Sequence, residues 1–368
     1  MAAEGRDVIS FGAGEPDFPT PEHITAAAAR ATADPAHHHY TANVGLAPLR
    51  SAIARYTQDF SGVAVEDSQI LVTNGAKQAI FQTFAALVDP GDEVLLPSPH
   101  WVTYPAGIEL AGGRPVSVPT SMDDGFKVDP ETLEAHRTPN TKLLVFVSPS
   151  NPTGSVYTAD EARQIGEWAR DHGVWVVADE IYQRLVYDSQ DAAASVAAVT
   201  EGLEDVVLVN GVAKSFAMTG WRVGWMIGPE DVVGAAARHQ SHATGNVNNV
   251  AQMAALEALT GPQDTVLTMR AAFDKRRQTM ISMLADAPGV RCHPPEGAFY
   301  VFPSVEGLLS DTHPSSAALA EALLEEEGIA VVSGESFGAP GFIRLSYALS
   351  DVDLERGVGR MLDMFGRL

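Results

Sequence analysis

The stretch VVLVNGVAKSFAMTGWRVGWMI, residues 206–227, decides the fold. Residues 206–209 are four aliphatic side chains in a row, a strand too apolar to face water. Asn210-Gly211 turns the chain out of it. Residues 223–227 read as a second apolar strand. Between the two lie Lys214 and Arg222. Val212, Ala213, Phe216, Ala217 and Met218 surround Lys214 in sequence. A lysine in apolar surroundings loses the solvation of its charge, so its pKa falls and its amine becomes a nucleophile. The plainer alternative is a lysine that snorkels to solvent. The planar guanidinium of Arg222 suits two-pronged contact with a phosphate.

Working outward, the same texture repeats. Residues 70–73, 93–96, 143–147 and 174–178 read as further short buried strands. Helix-length amphipathic stretches at 77–87 and 159–171 separate them. Alternating strands and helices define the α/β class, with a mostly parallel sheet covered on both faces. After residue 261 the pattern changes to a long helix at 264–285, a turn at 294–297 and a strand at 298–302. A helix at 317–327, strands at 329–332 and 342–346 and a last helix at 351–365, capped by Asp351, complete a smaller α+β domain. The division expected is an N-terminal segment 1–35 joining the small domain, a large domain 36–261 and a small domain 262–368.

In an open parallel sheet, ligands bind beyond the carboxyl ends of the strands. The residues just past those ends form an unusual set. Asp179 follows an apolar run, so its carboxylate is partly buried and needs a partner. Tyr182 could reach the same ligand; a helix N-cap with a packing tyrosine is the alternative. Gly75-Ala76-Lys77 opens a helix, where free N–H groups and the helix dipole favour an anion. Asn151, before Pro152, is either a turn former or a ligand contact. Trp101 could stack on a flat ring or simply pack. Arg344 alternates with Ile343 and Leu345, as a surface residue or a carboxylate receptor.

Composition narrows the function. The 368 residues carry 24 Lys+Arg against 47 Asp+Glu, a formal charge of -23. That balance opposes binding to nucleic acid or to an anionic membrane. The single cysteine, Cys292, cannot form an internal disulfide, which points to a reducing compartment. No secretory signal or membrane-length apolar window is read, and the expectation is a cytoplasmic protein. The run His37-His38-His39 has no neighbours that complete a metal set, so no metal is expected.

Taken together, the marks resemble the class I/II aminotransferases of pyridoxal-phosphate fold type I. They run nearly end to end: Gly14-Glu15-Pro16-Asp17-Phe18, the Asn-Pro-Thr-Gly core within 148–154, Asp179-Glu180-Ile181-Tyr182, the Lys214-to-Arg222 segment, Pro295-Glu296-Gly297-Ala298-Phe299-Tyr300 and Arg344-Leu345-Ser346-Tyr347. The pattern is most similar to a bacterial aspartate/prephenate-like branch. The resemblance implies a seven-stranded, mostly parallel sheet flanked by helices, and pyridoxal 5′-phosphate as cofactor. It implies Lys214 as the Schiff-base lysine and proton carrier, Asp179 on the pyridine nitrogen, and Tyr182 and Asn151 on the phenolic oxygen. Trp101 would cover the ring, while Arg222 and the 75–77 backbone would hold the phosphate. Tyr40 would reach the phosphate of the neighbouring subunit in a homodimer with active sites at the interface. Arg344 would grip the substrate α-carboxylate, with Gly14 and Asn151 nearby. Lys77 would contact a side-chain carboxylate, a charge-assisted pair favouring dicarboxylates; a surface lysine is the alternative.

Two departures stand out. Only about a dozen residues precede Gly14, so the helix that caps the site in that branch is expected to be largely absent. Gly245-Asn246-Val247-Asn248-Asn249 replaces a Ser/Thr-rich turn, which implies a changed phosphate contact across the dimer. The expected reaction is ping-pong transfer of an amino group between aspartate or glutamate, with aromatic or prephenate-type substrates possible, and a 2-oxo acid. A C–S β-lyase would use the same lysine, aspartate and arginine. A ligand sensor fused to a DNA-binding domain has no room before Gly14, and a dehydrogenase would need a G-x-G-x-x-G turn after its first strand.

Overall fold

The computed structural model describes residues 5–187, 191–200 and 202–368. The chain opens with a two-residue strand β1 (Ile9–Ser10), then helices α1 (Glu22–Ala33) and α2 (Ala47–Ser61). The alternating part follows: β2 (Ile70–Thr73), α3 (Ala76–Leu87), β3 (Glu93–Ser98), α4 (Thr103–Leu110), β4 (Arg114–Pro119), α5 (Pro130–His136), β5 (Thr141–Val147), α6 (Ala159–Asp171), β6 (Trp175–Asp179), α7 (Val196–Val199), β7 (Val206–Gly211) and β8 (Gly224–Ile227). Helices α8 (Glu230–Ala243), α9 (Asn249–Thr260) and α10 (Asp264–Leu284) lead into the last part. There β9 (Tyr300–Val301), α11 (Ser316–Glu326), β10 (Ile329–Ala330), β11 (Val332–Ser333), β12 (Ile343–Ser346) and α12 (Asp351–Phe365) complete the chain.

Seven strands form one sheet in the order β2-β8-β7-β6-β5-β3-β4. All neighbours are parallel except β8, which runs antiparallel to both β2 and β7. The stretch that decided the fold is therefore a strand, a loop and a strand that turns back beside it. The sheet carries an apolar core on each face, one including Leu144, Val176 and Leu208, the other Val145, Val177 and Val207. Successive side chains of one strand point to opposite faces, so only a strand apolar throughout can feed both cores.

The sequence reading missed β4. Its burial alternates poorly, it lies at the sheet edge, and prolines occupy two of its six positions. Proline cannot donate to a ladder and is tolerated at edges, so the strand carries no apolar signature. The expected cap of α12 also needs correction. Ser350 is the N-cap, accepting from the Asp353 N–H. Asp351, one residue on, instead pairs with Lys275 and Arg276.

Around the short strands β9, β11 and β12 sits a third core, with Phe273, Phe299, Tyr300, Leu345 and Met361. Strand β1 pairs in parallel with β10, and Ile9 and Phe11 enter this core. Helix α1 packs on α9 instead, and Ile24 and Ala28 enter a core of the large sheet. Residues 11–20 thus bridge the two packed bodies, and Gly14 and Glu15 pass over the carboxyl ends of the central strands.

Candidate active site

Those strand ends include the point where the chain reverses its course across the sheet. From β3 the chain passes to β4 on one side, then to β5 on the other. Such a switch point leaves a crevice beyond the strand ends. The loops after β2, β3, β5 and β6, and the loop joining β7 to β8, all open on it. Together with Gly14 and Arg344 they line a cavity of about 420 Å³.

Asp179 ends β6 and is 4% exposed. The Tyr104 hydroxyl donates to it at 2.8 Å and the Ile181 N–H at 3.1 Å. Burial pushes its carboxyl above the usual carboxylate range; those two donors and the charge of Lys214 pull the other way. The carboxylate thus has partners on the protein side while lining the cavity. No helix starts at Asp179, the next being α7 at Val196, so it does not act as a helix N-cap.

Lys214 lies in the loop after β7, and its Nζ donates to the Gly14 carbonyl. Burial lowers its pKa to about 8, the positive Arg344 and Arg222 add to that, and Glu15 and Asp179 oppose it. A share of free amine near neutral pH is the condition for nucleophilic and base chemistry. The snorkelling alternative fails: the ammonium faces the rings of Tyr182 and Phe299, 5.8 and 5.9 Å away.

Arg222 sits in the left-handed region at φ 55, which points it back across the loop. Its guanidinium donates to the Thr219 carbonyl at 3.0 Å. Gly75, at φ 80, lies against it: a Cβ there would come 2.5 Å from Nη2. Gly224 lets the backbones close up in the same way, since its Cβ would lie 2.4 Å from the Ala76 nitrogen. These two glycines bring the uncapped N-terminus of α3 beside the arginine. Backbone N–H groups, helix dipole and guanidinium then face one point, the arrangement that binds a phosphate.

Arg344, on β12, is 7% exposed. It donates to Asn151 Oδ1 and to the Gly12 carbonyl, both at 2.9 Å. Its Cζ lies 4.5 Å from the Tyr300 ring centroid and 5.0 Å from that of Phe337. Its Nε is buried with no partner among the described residues. A buried guanidinium without a carboxylate, with one donor unmet, suits an incoming anion. Lys77, in the first turn of α3, holds its ammonium 4.9 Å from the Trp101 ring centroid.

Gly14, Ala76, Lys77, Trp101, Asn151, Asp179, Tyr182, Lys214, Arg222 and Arg344 therefore meet at one cavity, with Gly75 directly behind Arg222. Tyr40 does not join them. It is 98% exposed, on a segment held by the Asn249 side chain through the His37 and His39 carbonyls. Sequence reading missed Tyr104, Glu15, Thr219 and any role for Tyr300. Tyr104 follows Trp101 by three residues, one helical turn, and that spacing was its only signal.

Comparisons with known proteins give the family. Residues 6–361 match the family model described as aminotransferase class I and II. An aspartate aminotransferase of Streptomyces avermitilis is 54% identical over 98% of this chain and 90% of its own. An aspartate/prephenate aminotransferase of Cereibacter sphaeroides is 46% identical over 98% and 92%. The crystal structure of the aspartate aminotransferase from Rhizobium meliloti superposes with a TM-score of 0.95 at 38% identity, over 100% of this chain and 94% of that one.

Proposed function

The chain belongs to the class I and II aminotransferases, and we propose that its cavity moves amino groups between aspartate or glutamate and a 2-oxo acid with the help of pyridoxal 5′-phosphate. The observation that carries this reading is the meeting of Lys214, Asp179, Asn151, Arg222 and Arg344 around one cavity. The fit to the cofactor rests on its donor set: a neutralisable amine, a buried carboxylate, and an arginine against an uncapped helix start. When bound, the cofactor supplies an aldehyde that captures amines and a protonated ring that withdraws electrons from the reacting carbon.

In this reading Lys214 would hold the aldehyde, and its amine would carry the proton taken from the substrate Cα. Asp179, fixed by Tyr104, keeps the ring nitrogen protonated. Tyr182 and Asn151 would donate to the phenolic oxygen, and Trp101 would cover the ring. Arg222 and the 75–77 backbone hold the phosphate. Arg344, oriented by Asn151 and by two aromatic rings, takes the α-carboxylate and presents the substrate in a single orientation. The three-part division at 35/36 and 261/262, a homodimer with Tyr40 at the neighbouring subunit's phosphate, and a cytoplasmic location belong to the same reading. Substrate choice is assigned to Lys77, whose cation would pair with a second carboxylate.

The test mixes cofactor-loaded protein with L-aspartate and 2-oxoglutarate. Oxaloacetate and glutamate are expected in equal amounts. Release of ammonia and pyruvate from cystathionine without amino transfer would replace the reading with that of a β-lyase. Lys77→Met is expected to lower kcat/KM for aspartate by about tenfold to a hundredfold, as loss of one charge-assisted bond implies, and to spare aromatic donors. Equal losses for both would remove Lys77 from substrate choice.

A further inference from the structure

Tyr300 is fully buried on β9, outside the large sheet, yet it touches three parts of the site. Its hydroxyl lies 2.8 Å from the Tyr182 hydroxyl, with the two rings edge to face at 5.9 Å. Its ring carries the Arg344 guanidinium at 4.5 Å. A Cβ on Gly14 would come 3.2 Å from its hydroxyl, so the bridging segment is pressed against it.

Two hydroxyls at that distance share one hydrogen bond, which leaves one of their two protons free. Which proton is free depends on which oxygen donates. The Arg344 cation over the Tyr300 ring makes that phenol the better acid. Burial raises both hydroxyls above their ordinary range, so neither loses its proton near neutral pH. The better acid donates and the weaker one accepts. Among the described residues Tyr300 also has no other hydrogen-bond partner, so with Tyr182 as donor its own proton would be left unpaired in a buried place.

We infer that Tyr300 is a positioning residue that donates to the Tyr182 oxygen, holds the Tyr182 proton pointed into the cavity and strengthens it as a donor to the cofactor's phenolic oxygen. A hydroxyl that accepts a hydrogen bond donates a stronger one. The Tyr300 ring also ties this donor to the carboxylate receptor, since the same side chain supports Arg344. The inference rests on the function proposed above and deepens it.

The consequence is spectroscopic. A stronger donor on the phenolic oxygen favours its anion and lowers the pH at which the cofactor–Lys214 link loses its proton. That midpoint is read from the absorbance of the holoenzyme as pH is varied. Tyr300→Phe keeps the ring under Arg344 and removes only the hydroxyl. Its midpoint is expected to rise by about 0.5–1 pH unit, the size of one hydrogen bond expressed as a pKa shift. In a Tyr182→Phe background the same substitution should leave the midpoint unmoved, because the effect passes through Tyr182. Should Tyr300→Phe not fold, 3-fluorotyrosine at position 300 keeps the ring and hydroxyl and makes a stronger donor; it should lower the midpoint.

An unchanged or lowered midpoint in Tyr300→Phe would overturn the inference, the lowered one by showing that Tyr182 is the donor. So would an equal shift with and without the Tyr182 hydroxyl, or no shift with fluorotyrosine. A wild-type protein with no titrating band at all would instead remove the proposed function, and this inference with it.

Discussion

Lys214 concentrates the chemistry and also strains the protein that carries it. Its ammonium is held away from water, so the folded chain disfavours the charge that the unfolded chain accommodates easily. The folded pKa of about 8 lies below the ordinary lysine value of 10.5. Between these two values the unfolded state binds more protons, so stability rises with pH through that window. Below pH 8 the penalty is fully present. Lys214→Met, similar in volume and uncharged, should therefore stabilise the cofactor-free protein at pH 7. The gain should shrink as pH rises from about 8 towards 10. Chemical denaturation at pH 7 and pH 10 checks this; an equal gain at both would mean that the amine is not desolvated. At this scale the sequence was unusually legible. Lys214, Asp179 and Arg344 each followed or sat within an apolar run, where a charged side chain costs too much to be incidental. Tyr104 and Tyr300 were opaque, because an aromatic among apolar residues looks the same whether its hydroxyl is used or not.

At the scale of elements, the site depends on how closely two backbones can approach. The N-terminus of α3 meets the start of β8 through Gly75 and Gly224. Gly224→Ala would put a methyl 2.4 Å from the Ala76 nitrogen and 2.6 Å from the Gly75 carbonyl carbon. Backbone cannot yield as a side chain can, so α3 must shift off β8 and off Arg222. The expected result is a loss of about 2–4 kcal/mol in stability, as for overpacked cores, together with at least a tenfold weaker hold on pyridoxal phosphate. Unfolding and cofactor titrations measure both. A variant with wild-type cofactor affinity would show that α3 does not hold the phosphate. Elements whose apolar pattern was unbroken, such as α6 and β7, were placed from sequence within a residue or two. Strand β4 escaped because an edge strand faces water and contains proline. The α12 cap was misplaced by one residue, since Ser350 and Asp351 are both good caps and only the tertiary pull of Lys275 and Arg276 decides between them.

Across the whole molecule, the site is shared between two packed bodies, and residues 11–20 cross between them. Arg276 fastens that crossing. It pairs with Asp17 at 2.8 Å and with Asp351 at 2.9 Å, joining the crossing segment to α10 and α12. Its own side chain is 9% exposed, so its loss takes a buried ion pair from Asp17, while Asp351 keeps Lys275. Arg276→Met should destabilise the protein by about 2 kcal/mol, less than a fully buried pair because both aspartates reach solvent. It should also raise KM for amino donors, since Gly12 and Gly14 contact Arg344 and Lys214. An unchanged KM would confine the clamp to stability. The most direct measurement is chemical. Protein loaded with pyridoxal phosphate is reduced with borohydride, digested and weighed peptide by peptide. A single phosphopyridoxyl adduct on Lys214 is the expected result; an adduct on another lysine, or none, would contradict the assignment of this cavity as the active site.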